Sequence, residues 1–118
     1  MYPSPETLKN AVRRIVEALP ELRHSYAAHQ AEYEQVLPYM FLPDVVRDMI
    51  EKWQVGDLSP SFLDRLSEIV EELLAERDQG IHDLVGLGLL EELKYSAIWP
   101  EVEPHLGPLA KAVAAEDD

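Results

Sequence analysis

Glu21 and His24 stand three residues apart in Glu21-Leu-Arg-His24, a spacing that puts a carboxylate and an imidazole on one helix face. A di-iron bundle needs that motif on two helices and a Glu from each of two others. The chain holds no second copy, so the pair is expected to be surface charge, with Arg23 beside it. His24 and His29 fall on different faces of a helix and cannot chelate from it. His82 precedes Asp83, but adjacent helical residues do not face each other. His82 is therefore expected to be a partly buried structural histidine, and Asp83 a favourable charge in the first turn of its helix. His105 lies in a loop-like context between Pro104 and Gly107. Glu71-Glu72 and Glu91-Glu92 are paired carboxylates, yet acid–base catalysis needs a shared pocket that drives their pKa values apart. Both pairs read as solvent-facing. Gly86-x-Gly88 lacks the strand, the third glycine and the Lys-Ser/Thr of a phosphate loop. The expectation is a non-enzymatic protein with no catalytic residue, no metal and no cofactor.

Two features suit binding better than chemistry. Asp64, Glu68, Glu71 and Glu72 fall within about 100° of arc on a helix, with Arg65 at the edge of the stripe. Four carboxylates on a rigid face form a field that steers a basic partner. The polar back of an amphipathic helix has the same pattern. The corner Tyr39-Met40-Phe41, together with Trp53 and Trp99, supplies the residue types enriched at interface hot spots, which are also ordinary core residues. Tyr39 and Phe41 are the candidate anchors beside the acidic stripe.

These residues must be positioned by helices. Ser4-Pro5 looks like an N-cap followed by proline at the first helical position. Leu8, Val12, Ile15, Val16 and Leu19 then recur at helical spacing, predicting a helix over 5–18. Pro20 opens a second, over 20–36, with Leu22, Tyr26, Tyr33 and Val36 inward. Leu37 to Pro43 is an apolar corner between prolines, read as a turn or as the first turn of a third helix. That helix covers 44–53, with Val45, Val46, Met49, Ile50 and Trp53 inward. Ser59-Pro60 repeats the cap-then-proline start and predicts a strongly amphipathic helix over 60–77. The stretch 81–93 is apolar nearly all round, as a buried helix is. Gly86 and Gly88 each cost roughly 1 kcal/mol against alanine in a helix, a cost that close approach of neighbouring helices would offset. A short turn near 100–106 and a last helix from Pro108 through Leu109, Ala112 and Val113 complete the chain, with a frayed tail over about 115–118. No segment alternates as a strand does. The expected fold is a single all-α domain over 1–118: a bundle of about five main helices plus short pieces, with 81–93 central and buried.

The 118 residues carry 10 basic and 23 acidic side chains, a net charge of −13. Residues 1–36 hold five acids and four bases, and residues 37–118 hold 18 acids and six bases, so the excess lies beyond the second helix. Such a surface repels nucleic acid and anionic lipid and attracts a basic protein; it also keeps a small protein soluble. With no cysteine there is no disulfide, thiolate or cysteine-bound metal. The N-terminus has neither the basic nor the apolar region of a secretory signal, and no apolar run approaches the roughly 20 residues of a membrane span. A cytoplasmic protein is expected.

Three pieces, Leu37-Pro38-Tyr39-Met40-Phe41, Val85-Gly86-Leu87-Gly88-Leu89-Leu90-Glu91-Glu92-Leu93 and Leu106-Gly107-Pro108-Leu109, taken in that order, resemble a family of short, all-helical, uncharacterised bacterial proteins. The resemblance spans about residues 8–113. It implies a small bacterial cytoplasmic protein, similar in size and acidity to toxin-immunity proteins, and assigns no catalytic residue. The function expected is a protein-binding module, in its most concrete form an immunity-type inhibitor of a basic partner. The alternative is a self-associating helical homodimer joined through the Tyr39–Phe41 corner or a leucine stripe.

Overall fold

A computed structural model describes residues 5–116, and among these every regular element is helical. Helix α1 covers Pro5–Ala18; the Ser4 cap expected for it lies outside the described residues. A 3₁₀ turn, Pro20–Leu22, leads into α2, Arg23–Tyr33. Then come α3, Pro38–Gln54, and α4, Pro60–Ala75. Helix α5, Gln79–Val85, runs without a break through a π turn, Gly86–Leu90, into α6, Glu91–Lys94. The short α7, Trp99–Val102, a 3₁₀ turn, Glu103–His105, and α8, Pro108–Ala115, close the chain. The last two positions of the expected tail, 117 and 118, lie outside the described residues. No helix among those described is long and apolar enough to cross a membrane.

Helix starts follow the local chemistry. Ser59 accepts a hydrogen bond from the Phe62 N–H at 3.1 Å, ahead of Pro60 at the first helical position. Asp78 caps α5 through the Ile81 N–H at 3.0 Å, so the helix begins at Gln79, two residues ahead of the expected 81. The apolar corner also resolves as a helix start. Leu37 is extended, Pro38 occupies the first helical position, and Pro43 sits inside the helix at the cost of the N–H that would have bonded the Tyr39 carbonyl.

Helix α2 is shorter than its spacing predicts, ending at Tyr33 and not at 36. Glu34 adopts a left-handed conformation, φ 58°, and stops it. The turn beyond is tied back to α2, because the Leu37 N–H donates to Nε2 of His29 at 2.9 Å. His29 is thereby drawn into the interior and retains only 3% of its exposure, a position the apolar pattern had given to its neighbours.

The continuous rod from α5 to α6 is the centre of the molecule. Helices α1, α3, α4 and α8 all pack on parts of it, and Ile81, Leu84, Val85, Leu89, Leu90 and Leu93 are buried. Both glycines mark close approach. A methyl on Gly86 would sit 3.2 Å from Val113 of α8, and one on Gly88 would sit 3.2 Å from Leu42 of α3. Within the π turn the Glu91 N–H reaches back to the Gly86 carbonyl. The rod is not buried all round, however. Residues two apart lie on nearly opposite sides of a helix, so with α8 over Gly86 and α3 over Gly88, Leu87 projects between them and is 55% exposed. Trp53 likewise departs from its expected inward position, being 40% exposed near the end of α3.

Gly88→Val adds two carbons beyond a Cβ position that already touches Leu42 and Leu84. Overpacking of this kind costs about 1–3 kcal/mol. The expected outcome is a folded protein with a lower urea midpoint and an unchanged m-value; an unchanged midpoint would mean that α3 can move away from the rod.

Candidate functional site

The acidic stripe of α4 is largely engaged inside the molecule. Glu71 accepts the backbone N–H groups of Leu109 and Ala110 at 3.0 and 2.9 Å, using both carboxylate oxygens to hold the first turn of α8. Gly107 makes this possible, since a methyl there would overlap the Glu71 carboxylate. Asp64 meets Nδ1 of His105 at 2.8 Å, which gives a partner to a histidine that loop context had left without a role. Glu72 lies 3.9 Å from Arg14 of α1, which also binds Glu76. Glu68 is exposed. Three of the four carboxylates thus join α4 to its neighbours, and the stripe serves the fold as well as the surface.

The Glu21–His24 pair is organised differently from its motif. Both carboxylate oxygens of Glu21 are taken by Arg65 of α4, at 2.9 and 2.5 Å, a bidentate bridge across 44 residues of sequence. His24 is exposed. No group of three or more His, Asp or Glu side chains placed to hold a metal ion occurs among the described residues. The Arg65 guanidinium, by its hydrogen bonds, lowers the Glu21 pKa from 4.5 to about 2. A carboxyl depressed in this way stabilises the fold above pH 4.5, and that contribution disappears as the pH falls toward 2. Both side chains are more than a third exposed, so solvent and salt screen the bridge and its contribution is small. Arg65→Ala is expected to flatten the pH dependence of stability between 4.5 and 2, most visibly in low salt. An acid transition identical to that of the parent protein would remove Glu21 from that window.

The corner residues divide between surface and core. Tyr39 and Met40 are each 46% exposed, whereas Phe41 is fully buried. Phe41 meets Tyr26 edge-on at 5.5 Å between ring centres and His29 at 5.4 Å. As an anchor for a partner, Phe41 is therefore corrected to a core residue. Pro38 begins a helix there, and successive helical residues cannot all face out. Trp99 is half-buried against the core.

Tyr39 and Met40 border an open groove of about 560 Å³ between α2 and α3. Its carboxylates are Glu32 from α2 and Asp44 and Asp48 from successive turns of α3, and its one guanidinium is Arg47. Arg47 is mostly exposed and pairs with Asp44 at 3.0 Å, while Asp48 accepts from the Ser25 hydroxyl. Tyr33 and Pro43 add apolar lining. Burial, followed by the negative charge of Asp83, raises the Tyr39 phenol above its ordinary pKa.

His29 forms part of the wall. Its Nε2 accepts the Leu37 N–H, so the proton of the neutral ring is on Nδ1. That Nδ1 is buried without a hydrogen-bond partner and lies 3.7 Å from Asp44, too far for a bond. An unmet buried donor costs about 1–3 kcal/mol. Neither the groove nor the role of His29 was legible in sequence. The available signal was weak: a histidine on the inward side of α2, and carboxylates at i and i+4 on the next helix.

A second, smaller notch of about 110 Å³ lies where α5 and the π turn meet α8, between His82, Asp83, Leu87 and Val113. His82 is half-buried, and its Nδ1 also lacks a hydrogen-bond partner, 3.9 Å from Asp83.

Fold and surface together define an all-helical acidic protein with a carboxylate-lined groove between its second and third helices. Residues 12–117 match a family described as a domain of unknown function, DUF7674, and the chain belongs to that family. No curated protein and no solved structure matches it.

Proposed function

We propose that this protein is a non-enzymatic binding module whose docking face is the groove between α2 and α3, and that its partner is a basic protein. The observation that carries this reading is the exposed pair Tyr39 and Met40 beside three carboxylates opposed by one guanidinium. An aromatic and a methionine at the rim offer anchoring area, and the acidic wall offers steering and selectivity against acidic partners. The net charge of −13 extends that field over the whole molecule. Binding suits this groove better than catalysis because Nε2 of its one imidazole is held by the Leu37 N–H and cannot take a proton from a substrate, whereas Asp44 holds a mostly exposed Arg47 that a partner cation can displace. The narrower form of the reading is an immunity-type inhibitor that covers a basic toxin surface in the cytoplasm; small size and acidity support it.

Self-association through Tyr39 and Met40 is the alternative. Two copies at −13 would bring like charges together around that corner, which disfavours it. Sedimentation over a wide concentration range is expected to show a monomer, and a concentration-dependent dimer would favour the alternative.

A fluorescein-labelled eight-residue peptide of alternating arginine and lysine tests the docking face. It is expected to bind with an affinity that falls steeply with salt. The triple variant E32Q/D44N/D48N should weaken it at least about tenfold, since each lost charge pair at a recognition face costs on the order of 1 kcal/mol. The variant E92Q/E101Q/E103Q, equal in net charge and away from the groove, should retain most of the affinity. Absence of binding, or equal losses in both triples, would overturn the reading.

A further inference from the structure

We infer that the α2–α3 groove selects an arginine side chain of the partner, whose guanidinium takes the place of Arg47 on Asp44. The inference rests on the docking face proposed above and narrows what that face reads. Asp44 and Asp48 stand one turn apart on α3, and Glu32 approaches from α2, so the carboxylates surround the groove from two helices. A planar guanidinium with five N–H donors can bond two of them at once, which a lysine ammonium, a point charge, does less well. Tyr33 and Tyr39 add rings on which a guanidinium stacks. The groove, about 560 Å³ and open to solvent, has room for one guanidinium side chain.

Two further observations point to an occupant. The protein's own Arg47 already sits on Asp44 at 3.0 Å while remaining mostly exposed, so a guanidinium is the group this carboxylate accepts, held from the outer side. Behind Asp44, the buried Nδ1–H of His29 lies 3.7 Å from the same carboxylate, just beyond hydrogen-bond reach. A guanidinium inside the groove draws Asp44 inward and away from Arg47. Its second oxygen then comes within reach of His29, and the unmet donor gains its acceptor. Occupancy thus completes a chain from the Leu37 N–H through the imidazole and Asp44 to the bound arginine.

The test compares three labelled peptides of one sequence, carrying arginine, lysine or asymmetrically dimethylated arginine at a single central position. Dimethylation keeps the charge and blocks bidentate bonding. The arginine peptide is expected to bind at least about tenfold tighter than the other two. Asp44→Asn and Asp48→Asn should each remove most of that preference. Arg47→Ala should tighten the arginine peptide severalfold by removing its competitor, whereas Arg23→Ala, the same charge change at an exposed position outside the groove, should leave it within twofold. In ¹⁵N-labelled protein the His29 Nδ1 proton should move downfield and exchange more slowly on binding. Equal affinity for the three peptides, with loss in the groove triple variant, would overturn arginine selection and leave the basic docking face standing. No groove-dependent binding of any peptide would overturn both. A uniform gain in both Arg47→Ala and Arg23→Ala would reduce the effect to net charge and overturn the displacement of Arg47.

Discussion

Phe41→Ala is expected to lose about 3–5 kcal/mol of stability, whereas Tyr39→Ala, two residues away, should lose less than about 0.5 kcal/mol. Phe41 has no exposed surface and is held edge-on by Tyr26 and His29. Its removal leaves a cavity that the surrounding helices fill only in part, because α3 is pinned against the π turn at Gly88 and against α2. A domain of this size shifts by roughly 4 °C per kcal/mol, so Tm should fall by about 12–20 °C. Tyr39 has solvent over nearly half its surface, and its loss should instead weaken the basic peptide with Tm nearly unchanged. Thermal melts of the two variants, with peptide titrations at a temperature where both are folded, separate the core residue from the rim residue. A small loss for Phe41→Ala together with a large one for Tyr39→Ala would reverse the assignment of core and surface at this corner.

Glu71→Ala is the second large effect, expected at about 2–3 kcal/mol. The carboxylate accepts two backbone N–H groups at the start of α8, and a hydrogen bond to a charged group contributes about 1.5–3 kcal/mol. Negative charge at a helix N-terminus adds to this. Helix α8 has only eight residues, too few to persist without a packed face and a held first turn. Gly107→Ala should reproduce most of the loss by a different route, since the methyl displaces the flexible end of Glu71 and leaves the backbone in place. The cycle is therefore strongly non-additive: once Glu71 is alanine, Gly107→Ala should cost little more. Hydrogen exchange should show α8 opening first in each variant. Full additivity of the two substitutions would mean that Gly107 is needed for a reason other than the room it leaves for the carboxylate.

These two effects also separate what local pattern can carry from what it cannot. The helix over 60–77 was legible because Phe62, Leu63, Leu66, Ile69, Val70, Leu73 and Leu74 recur at one helical period behind a Ser-Pro start, and the same logic located α1. The apolar stretch 81–93 was legible as the central rod, and its glycines as points of close approach, because a glycine pair in a buried helix has few other uses. The end of α2 was not. It depends on a hydrogen bond from Leu37 to His29, and no property of residues 34–37 alone announces it. The exposure of Leu87 was not legible either, since it follows from which helices approach on each side of the π turn.

The helical class, the placement of most helices, the identity of the buried rod and the strong negative charge are all written in spacing between near neighbours or in composition. What the charges do depends instead on contacts between distant residues. Asp64, Glu71 and Glu21 find their partners 38 to 44 residues away, at His105, in the first turn of α8 and at Arg65. Glu32, Asp44 and Asp48 become one groove only because α2 folds back on α3, with His29 drawn in behind them. Helical periodicity fixes the side of a helix on which a carboxylate emerges; only the crossing of two helices fixes whether it meets a cation, a backbone donor or open water.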